Sequence, residues 1–320
     1  MANKKINLGL YWAASCGGCE IAILELREKI LDLDAAANIV FWPVAVDMKY
    51  KDVEAMPDGF MDVCLFNGAI RTSENEHMAH LLRRKAKVLV AFGSCAHEGC
   101  IPGLANLFDK QSIFHRVYIE APSVDNPEGI LPQTVTEMAE GELEIPEFYN
   151  TVRTLDQTTV VDYYIPGCPP HAHQIWASIE AILAGTLPQK GSVIGAYAKS
   201  VCDECKLVRE EKKIKKFYRP HEIIPEPGRC LLDQGIICAG PATRSGCGAL
   251  CPSVNLPCRG CYGPPPNVTD QGAALLSAIA SVVDADTEEE ARRIVEEIVD
   301  PVGTFYRFGL PASLLGRRKM

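Results

Sequence analysis

Eight of the fourteen cysteines in this chain fall between Cys202 and Cys261, and four more stand beside glycines just after apolar, strand-like segments. No other feature constrains the fold as much. Cysteines grouped in this way are either cross-linked or bound to metal. Disulfide frameworks belong mainly to short secreted chains. This chain has 320 residues, and its first residues show neither a signal-peptide apolar region nor a twin-arginine pair. A cytoplasmic, reducing setting is expected, where clustered cysteines serve as metal ligands.

Composition narrows the function further. With 47% hydrophobic and 23% charged residues, the chain can bury a real core, in one large domain or two. Its net charge of −9 argues against nucleic acid as a partner, since that calls for a basic face. The longest apolar run, residues 272–283, is too short for a membrane span.

Two unlike halves follow from the patterning. Residues 1–185 alternate strand and helix signals. Strands are expected at 6–12, 39–46, 63–66, 88–92 and 160–165. A helix is expected at 20–33, and another from the capping box Ser73-Glu74-Asn75-Glu76 to about residue 85. A third opens at Pro169-Pro170 and stops before Gly185. The expected fold is α/β: a flavodoxin-like, doubly wound parallel sheet with helices on both faces. Residues 103–156, broken by Pro122, Pro127, Pro132 and Pro146, read as an insertion over one edge. Residues 186–320 form a second, irregular domain. From 186 to 266 it has many prolines, little periodicity and few apolar side chains to pack, so metal clusters are expected to act as its core. Short helices return at 270–283 and after the capping box Thr287-Glu288-Glu289-Glu290, ending before Pro301.

In the first half, Cys16 and Cys19 follow the first strand, Cys95 the fourth and Cys168 the fifth. Ligands of open α/β sheets bind at this carboxyl-terminal edge, so four distant cysteines converge there. Adjacent glycines let the backbone approach a bulky group. Four thiolates hold zinc or an iron–sulfur cluster; a thioredoxin-like redox pair would leave Cys95 and Cys168 unexplained. Cys64, inside an apolar strand, reads as a small buried hydrophobe. Cys100, next to Ile101, also reads as buried, although it competes with Cys95 as a ligand. The remaining eight cysteines make two sets of four, suiting two cubane clusters or two zinc ribbons. The gap from Cys205 to Cys230 exceeds the usual ribbon spacing.

The order of these motifs resembles the small subunit of NiFe hydrogenases. The likeness rests on Cys-x-Gly-Cys at Cys16–Cys19, Gly93-Ser94-Cys95-Ala96 and Gly167-Cys168-Pro169-Pro170. It continues with Cys230-Leu231-Leu232-Asp233, Gly240-Pro241-Ala242-Thr243 and Pro257-Cys258-Arg259-Gly260-Cys261. The resemblance implies three 4Fe–4S clusters. Cys16, Cys19, Cys95 and Cys168 would hold the proximal one, facing a NiFe centre in a separate large subunit. Cys247, Cys251, Cys258 and Cys261 would hold the medial cluster, and Cys202, Cys205, Cys230 and Cys238 the distal one. Cysteines at 202 and 251, where many members carry histidine and proline, point to the cytoplasmic, methyl-viologen-reducing branch. That branch passes electrons to an iron–sulfur acceptor subunit and a heterodisulfide reductase complex in methanogens.

Other residues carry weaker signals. Glu20, directly after Cys19, reads as a helix-start carboxylate, with proton transfer as its functional alternative. His171 and His173 are packing or capping residues and not ligands. The mixed charge run 209–216 reads as a solvated face, with partner docking as the alternative. No phosphate loop, dinucleotide fingerprint or nucleophile triad is present, and Ser15–Cys19 occupies the loop where a flavin phosphate would sit. The rival readings are the electron-transfer subunit of a deazaflavin-reducing hydrogenase or of a quinone-linked oxidoreductase, and a zinc-stabilised binding scaffold.

Overall fold

A computed structural model describes residues 5–210 and 213–316. Ten strands are defined among them: β1 (Ile6–Trp12), β2 (Ala37–Phe41), β3 (Met61–Asn67), β4 (Ile70–Thr72), β5 (Ala86–Phe92), β6 (Val135–Met138), β7 (Gly141–Glu144), β8 (Phe148–Arg153), β9 (Tyr163–Ile165) and β10 (Ser192–Val193). Six form one sheet in the order β10-β9-β5-β3-β1-β2, and every pairing is parallel. This is the flavodoxin-type order with one strand added, and its switch point lies between β1 and β3.

Alternation along the strands supplies two cores. Leu8, Leu10, Val63, Leu65, Val90 and Phe92 face the helices Gly18–Leu24, Lys29–Ala36 and Ala172–Ala184. Tyr11, Cys64, Phe66, Leu89 and Ala91 face Tyr50–Ala55 and Ser73–Lys85. Each fully buried large apolar side chain contributes roughly 1.5–3 kcal/mol of transfer free energy. Cys64 packs here with no exposed surface, and burial pushes its thiol up to about 12.

Several boundaries differ from the sequence expectation for local reasons. The second strand stops at Phe41, because Pro43 cannot donate to a ladder and residues 42–46 form a turn onto the Trp42 carbonyl. The helix expected at 20–33 is two helices, parted at Arg27, whose φ of 54° is left-handed. The cap of helix Ser73–Lys85 is Thr72, with Asn75 returning the reciprocal bond, one residue earlier than the Ser73 box. Strand β10 lies beyond residue 185, so the sheet draws on the irregular segment. Residues 103–156 contain the antiparallel hairpin β6–β7, exposed at every position, and β8, which pairs with β4.

The second half has more apolar packing than its sequence implied. Val201, Ile214, Phe217 and Leu232 pack with Leu275, Ile279, Ile294 and Phe305. The last four come from helices Gln271–Ala280, Glu288–Glu296 and Pro301–Phe305, capped by Asp270, Thr287 and Asp300. The tail then returns to the sheet domain: Cys100 N–H donates to the Phe308 carbonyl at 2.9 Å, and Gln157 Nε2 donates to the Pro311 carbonyl at 2.8 Å. No helix among the described residues is long and apolar enough to cross a membrane.

Candidate metal centres

The sheet edge assembles the first thiol group. After β1 the chain is pinned to β3, with Ala13 N–H on the Asn67 carbonyl at 2.7 Å, before Gly17 turns it at φ 77° into the helix that starts at Gly18. Cys16 stays exposed and Cys19 is buried beneath it. Gly93 ends β5 at φ 83°, and a Cβ there would lie 2.3 Å from Cys19 Sγ. Glycine is therefore required for Cys19 to reach this edge. The loops after β5 and β9 are joined by Ser94 N–H to Gly167 O at 2.8 Å, one residue before Cys95 in the first and one before Cys168 in the second. The Cys168–Pro169 bond is cis.

One thiol arrives that the sequence had set aside. Cys100, at φ 48° after Gly99, lies 3.6 Å from Cys168, sulfur to sulfur, and also bonds Cys95. Burial, then the charges of Cys168 and Cys16, push the Cys19 thiol well above its ordinary value. Grouped, buried thiols of this kind become stable thiolates only when a cation is bound. The signal in the sequence was the spacing of five from Cys95, with a glycine placed to turn the chain.

The other eight cysteines separate into two sets. Cys247, Cys251, Cys258 and Cys261 line a cavity of about 400 Å³, shared with Cys168, His171 and Tyr262. Cys202, Cys205, Cys230 and Cys238 line a second, smaller pocket with Leu207, Arg209 and Pro252. Burial pushes the Cys202 and Cys261 thiols up to about 12. Backbone amides are aimed at the sulfurs. Cys258 N–H donates to Cys238 Sγ at 3.3 Å, and nearby amides pull the Cys230, Cys247, Cys258 and Cys261 thiols down against the rise that burial causes. These donor sets fit an iron–sulfur cluster, whose potential such bonds tune. No group of three or more His, Cys, Asp or Glu among the described residues is arranged to hold a single metal ion.

Polar residues around the first group were only partly visible in the sequence. Glu20 is 4% exposed, and its carboxylate accepts from Trp42 Nε1 and from Asn67 Nδ2, the latter at 3.3 Å. Burial raises it more than these two bonds lower it. His171 caps the helix Ala172–Ala184, and His173 bonds the Gly246 carbonyl at 3.0 Å, so both have packing roles. Glu98 was missed: a buried carboxylate 3.3 Å from His97 Nε2, against Gly263 and Gly309 of the second half. Only its position between Cys95 and Cys100 hinted at it. Of the charge run 209–216, Glu211 and Lys212 lie outside the described residues.

Comparison with known proteins gives a consistent family. Residues 16–182 match the family described as NADH ubiquinone oxidoreductase, 20 Kd subunit. The chain is 41% identical over 319 residues to the iron–sulfur subunit of the F420-non-reducing hydrogenase of Archaeoglobus profundus, covering 98% of each chain. It is 38% identical to the corresponding F420-non-reducing hydrogenase subunit of Methanothermobacter marburgensis, covering 98% of this chain and 96% of the other. A chain of a solved NAD+-reducing [NiFe]-hydrogenase in the H2-reduced state aligns with TM-score 0.50 at 26% identity, covering 58% of this chain and 95% of that one.

Proposed function

The chain belongs to the iron–sulfur small subunits of NiFe hydrogenases, in the F420-non-reducing branch, and from that membership we propose that it is a three-cluster electron relay. Cys16, Cys19, Cys95 and Cys168 hold the proximal 4Fe–4S cluster. Cys247, Cys251, Cys258 and Cys261 hold the medial one, and Cys202, Cys205, Cys230 and Cys238 the distal one. When bound, the clusters supply one-electron redox chemistry. This chain's residues hold them, bury them and direct amides at their sulfurs. The NiFe centre belongs to a separate large subunit seated over the proximal set. Electrons leave to an iron–sulfur acceptor subunit and, in a methanogen, to a heterodisulfide reductase complex.

The observation that carries this reading is the separation of the eight C-terminal cysteines into two sets of four, each around its own cavity. The relatives' name, F420-non-reducing, gives no support to a deazaflavin-reducing complex. Anaerobic purification with elemental analysis is the test. About twelve iron and twelve sulfide per chain are expected, at four of each per cubane. Iron near four, or zinc in its place, overturns the C-terminal assignment.

A further inference from the structure

The relay as assigned leaves one surface of the second half without a role. Arg219, Arg259 and Arg307 line a single cleft of about 340 Å³, together with His221. Among the described residues, arginine ion pairs form at Arg83, Arg116, Arg153, Arg229 and Arg292, and none at these three. Their guanidinium groups make one hydrogen bond to the protein, Arg307 Nε to Gly303 O at 3.0 Å. Two carboxylates border the cleft, and each is occupied by a backbone N–H. Glu297 accepts from Phe217 at 2.9 Å, and Asp300 from Gly303 at 3.0 Å. A third, Glu222, accepts the backbone N–H of Arg219 and lies outside the lining. The convergence is unusual for a chain whose acids outnumber its bases by 41 to 32.

The position of the cleft gives this charge a use. Ile236 and Ile237 form part of its wall, and the next residue is Cys238. Arg259 stands between Cys258 and Cys261 and feels the charges of Cys238, Cys251 and Cys258, so it borders both C-terminal thiol sets. A molecule seated in the cleft is therefore separated from both by one wall of backbone and side chain. Arginines beside aromatic and aliphatic side chains are the usual anchors of protein interfaces, and their planar forks match carboxylates. On a chain of net charge −9, such a patch would steer an acidic loop to itself.

We propose that this cleft, lined by Arg219, Arg259 and Arg307, docks an acidic loop of the iron–sulfur protein that takes electrons from the chain. The proposal rests on the electron-relay reading above. It is tested in the intact complex with the large subunit, using the double variant Arg219→Glu/Arg307→Glu. H2-driven reduction is followed with two probes, a small acidic 2Fe–2S ferredoxin and cationic methyl viologen, across a range of salt.

The KM for ferredoxin is expected to rise about tenfold or more and to lose most of its salt dependence. Viologen reduction and the EPR spectra of the clusters should stay unchanged. An unaltered ferredoxin KM and salt response overturn the proposal. Should the double variant lose its clusters, the exposed single substitution Arg219→Gln carries the same test. A twofold or larger rise in ferredoxin KM then supports the site, and no change overturns it. A wild-type complex that reduces neither probe with H2 overturns the relay reading, and this docking site with it.

Discussion

The backbone N–H of Cys258 donates to the Sγ of Cys238 at 3.3 Å. The two sulfurs line different cavities, Cys258 the one proposed for the medial cluster and Cys238 the one proposed for the distal. Cys168 and Cys261 line the same cavity, so the sheet-edge group borders the set proposed for the medial cluster. The two C-terminal sets are thus joined by a single hydrogen bond to sulfur. Such bonds shift cluster potentials, so neighbouring sites should be coupled.

Cys238→Ala tests that coupling. The distal cluster loses a ligand, and the Cys258 amide loses its sulfur acceptor. The midpoint potential of the medial cluster is expected to move as well, although its four ligands are intact. Potentiometric EPR on the complex reads this, and an unmoved medial signal shows that the bond carries no coupling.

Gly93 offers a test confined to the proximal site. Its φ of 83° disfavours any side chain, and a Cβ would sit 2.3 Å from Cys19 Sγ. Backbone strain of this kind costs roughly 1–3 kcal/mol before the clash is counted. Gly93→Ala should lose about a third of the iron, with the medial and distal EPR signals retained. Full iron content would mean that Cys19 does not approach the edge so closely.

The non-ligand cysteines separate in the same assay. Cys64→Ser should keep all its iron and lose about 1–3 kcal/mol of stability, because its hydroxyl would be buried among apolar side chains. Cys95→Ser should lose the proximal cluster, and Cys100→Ser should keep it. The 3.6 Å approach of Cys100 to Cys168 makes this pair decisive. Iron loss in Cys100→Ser but not in Cys95→Ser reverses the assignment.

Stability against acid should depend on Asp162, far from any cluster chemistry. This residue, 3% exposed, bonds Arg83 at 2.5 Å, Lys190 at 2.7 Å and the Leu89 N–H at 2.8 Å. Burial alone would raise its carboxyl, but Lys190, Arg83 and Leu89 together hold it below the ordinary value. A lowered folded pKa contributes stability above the unfolded value of ~3.9 and loses it as pH falls further. Asp162→Asn should cost about 1–2 kcal/mol at neutral pH, because Arg83 loses its charged partner while the exposed Lys190 turns to water. Its melting temperature should also fall less steeply than the wild type's below about pH 4. Parallel acid limbs would contradict this role.

The sheet and its ligand edge were legible because strand periodicity and the glycine–cysteine motifs act locally. β1 was readable residue for residue, and Gly185 ended its helix in the left-handed conformation as expected. The C-terminal cysteines were legible as a count, and their assignment to medial and distal clusters rests on the family resemblance. What the sequence concealed depends on contacts between distant segments. Trp42 and Asn67 hold Glu20 from two other strand ends, Phe308 reaches Cys100 from the far end of the chain, and Glu98 is buried by glycines at 263 and 309. None of these has a local signature. The second core was underestimated because Ile214 and Phe217 pack onto helices that lie far along the sequence.

The medial site gives the sharpest prediction about cluster type. Cys251 is the exposed member of its set, whereas Cys258 is buried. It lies in the short helix Leu250–Ser253, after Ala249 at φ 51°, so the backbone presents it from the solvent side of the cavity. Alanine is the better replacement here, because proline would disfavour the helical backbone of Leu250. Cys251→Ala removes the thiolate from one corner, and an iron without a protein ligand is readily lost. A 3Fe–4S cluster is therefore expected, with Cys247, Cys258 and Cys261 still bound. Cluster type sets potential, so the medial site should fall out of step with its neighbours. Each ~30 mV of mismatch in a one-electron step costs about 0.7 kcal/mol. Onward transfer to a low-potential acceptor should slow, while H2 activation in the large subunit is untouched. EPR of the oxidised variant should show a new 3Fe signal; an unchanged four-iron medial cluster would falsify the assignment of Cys251 as a ligand.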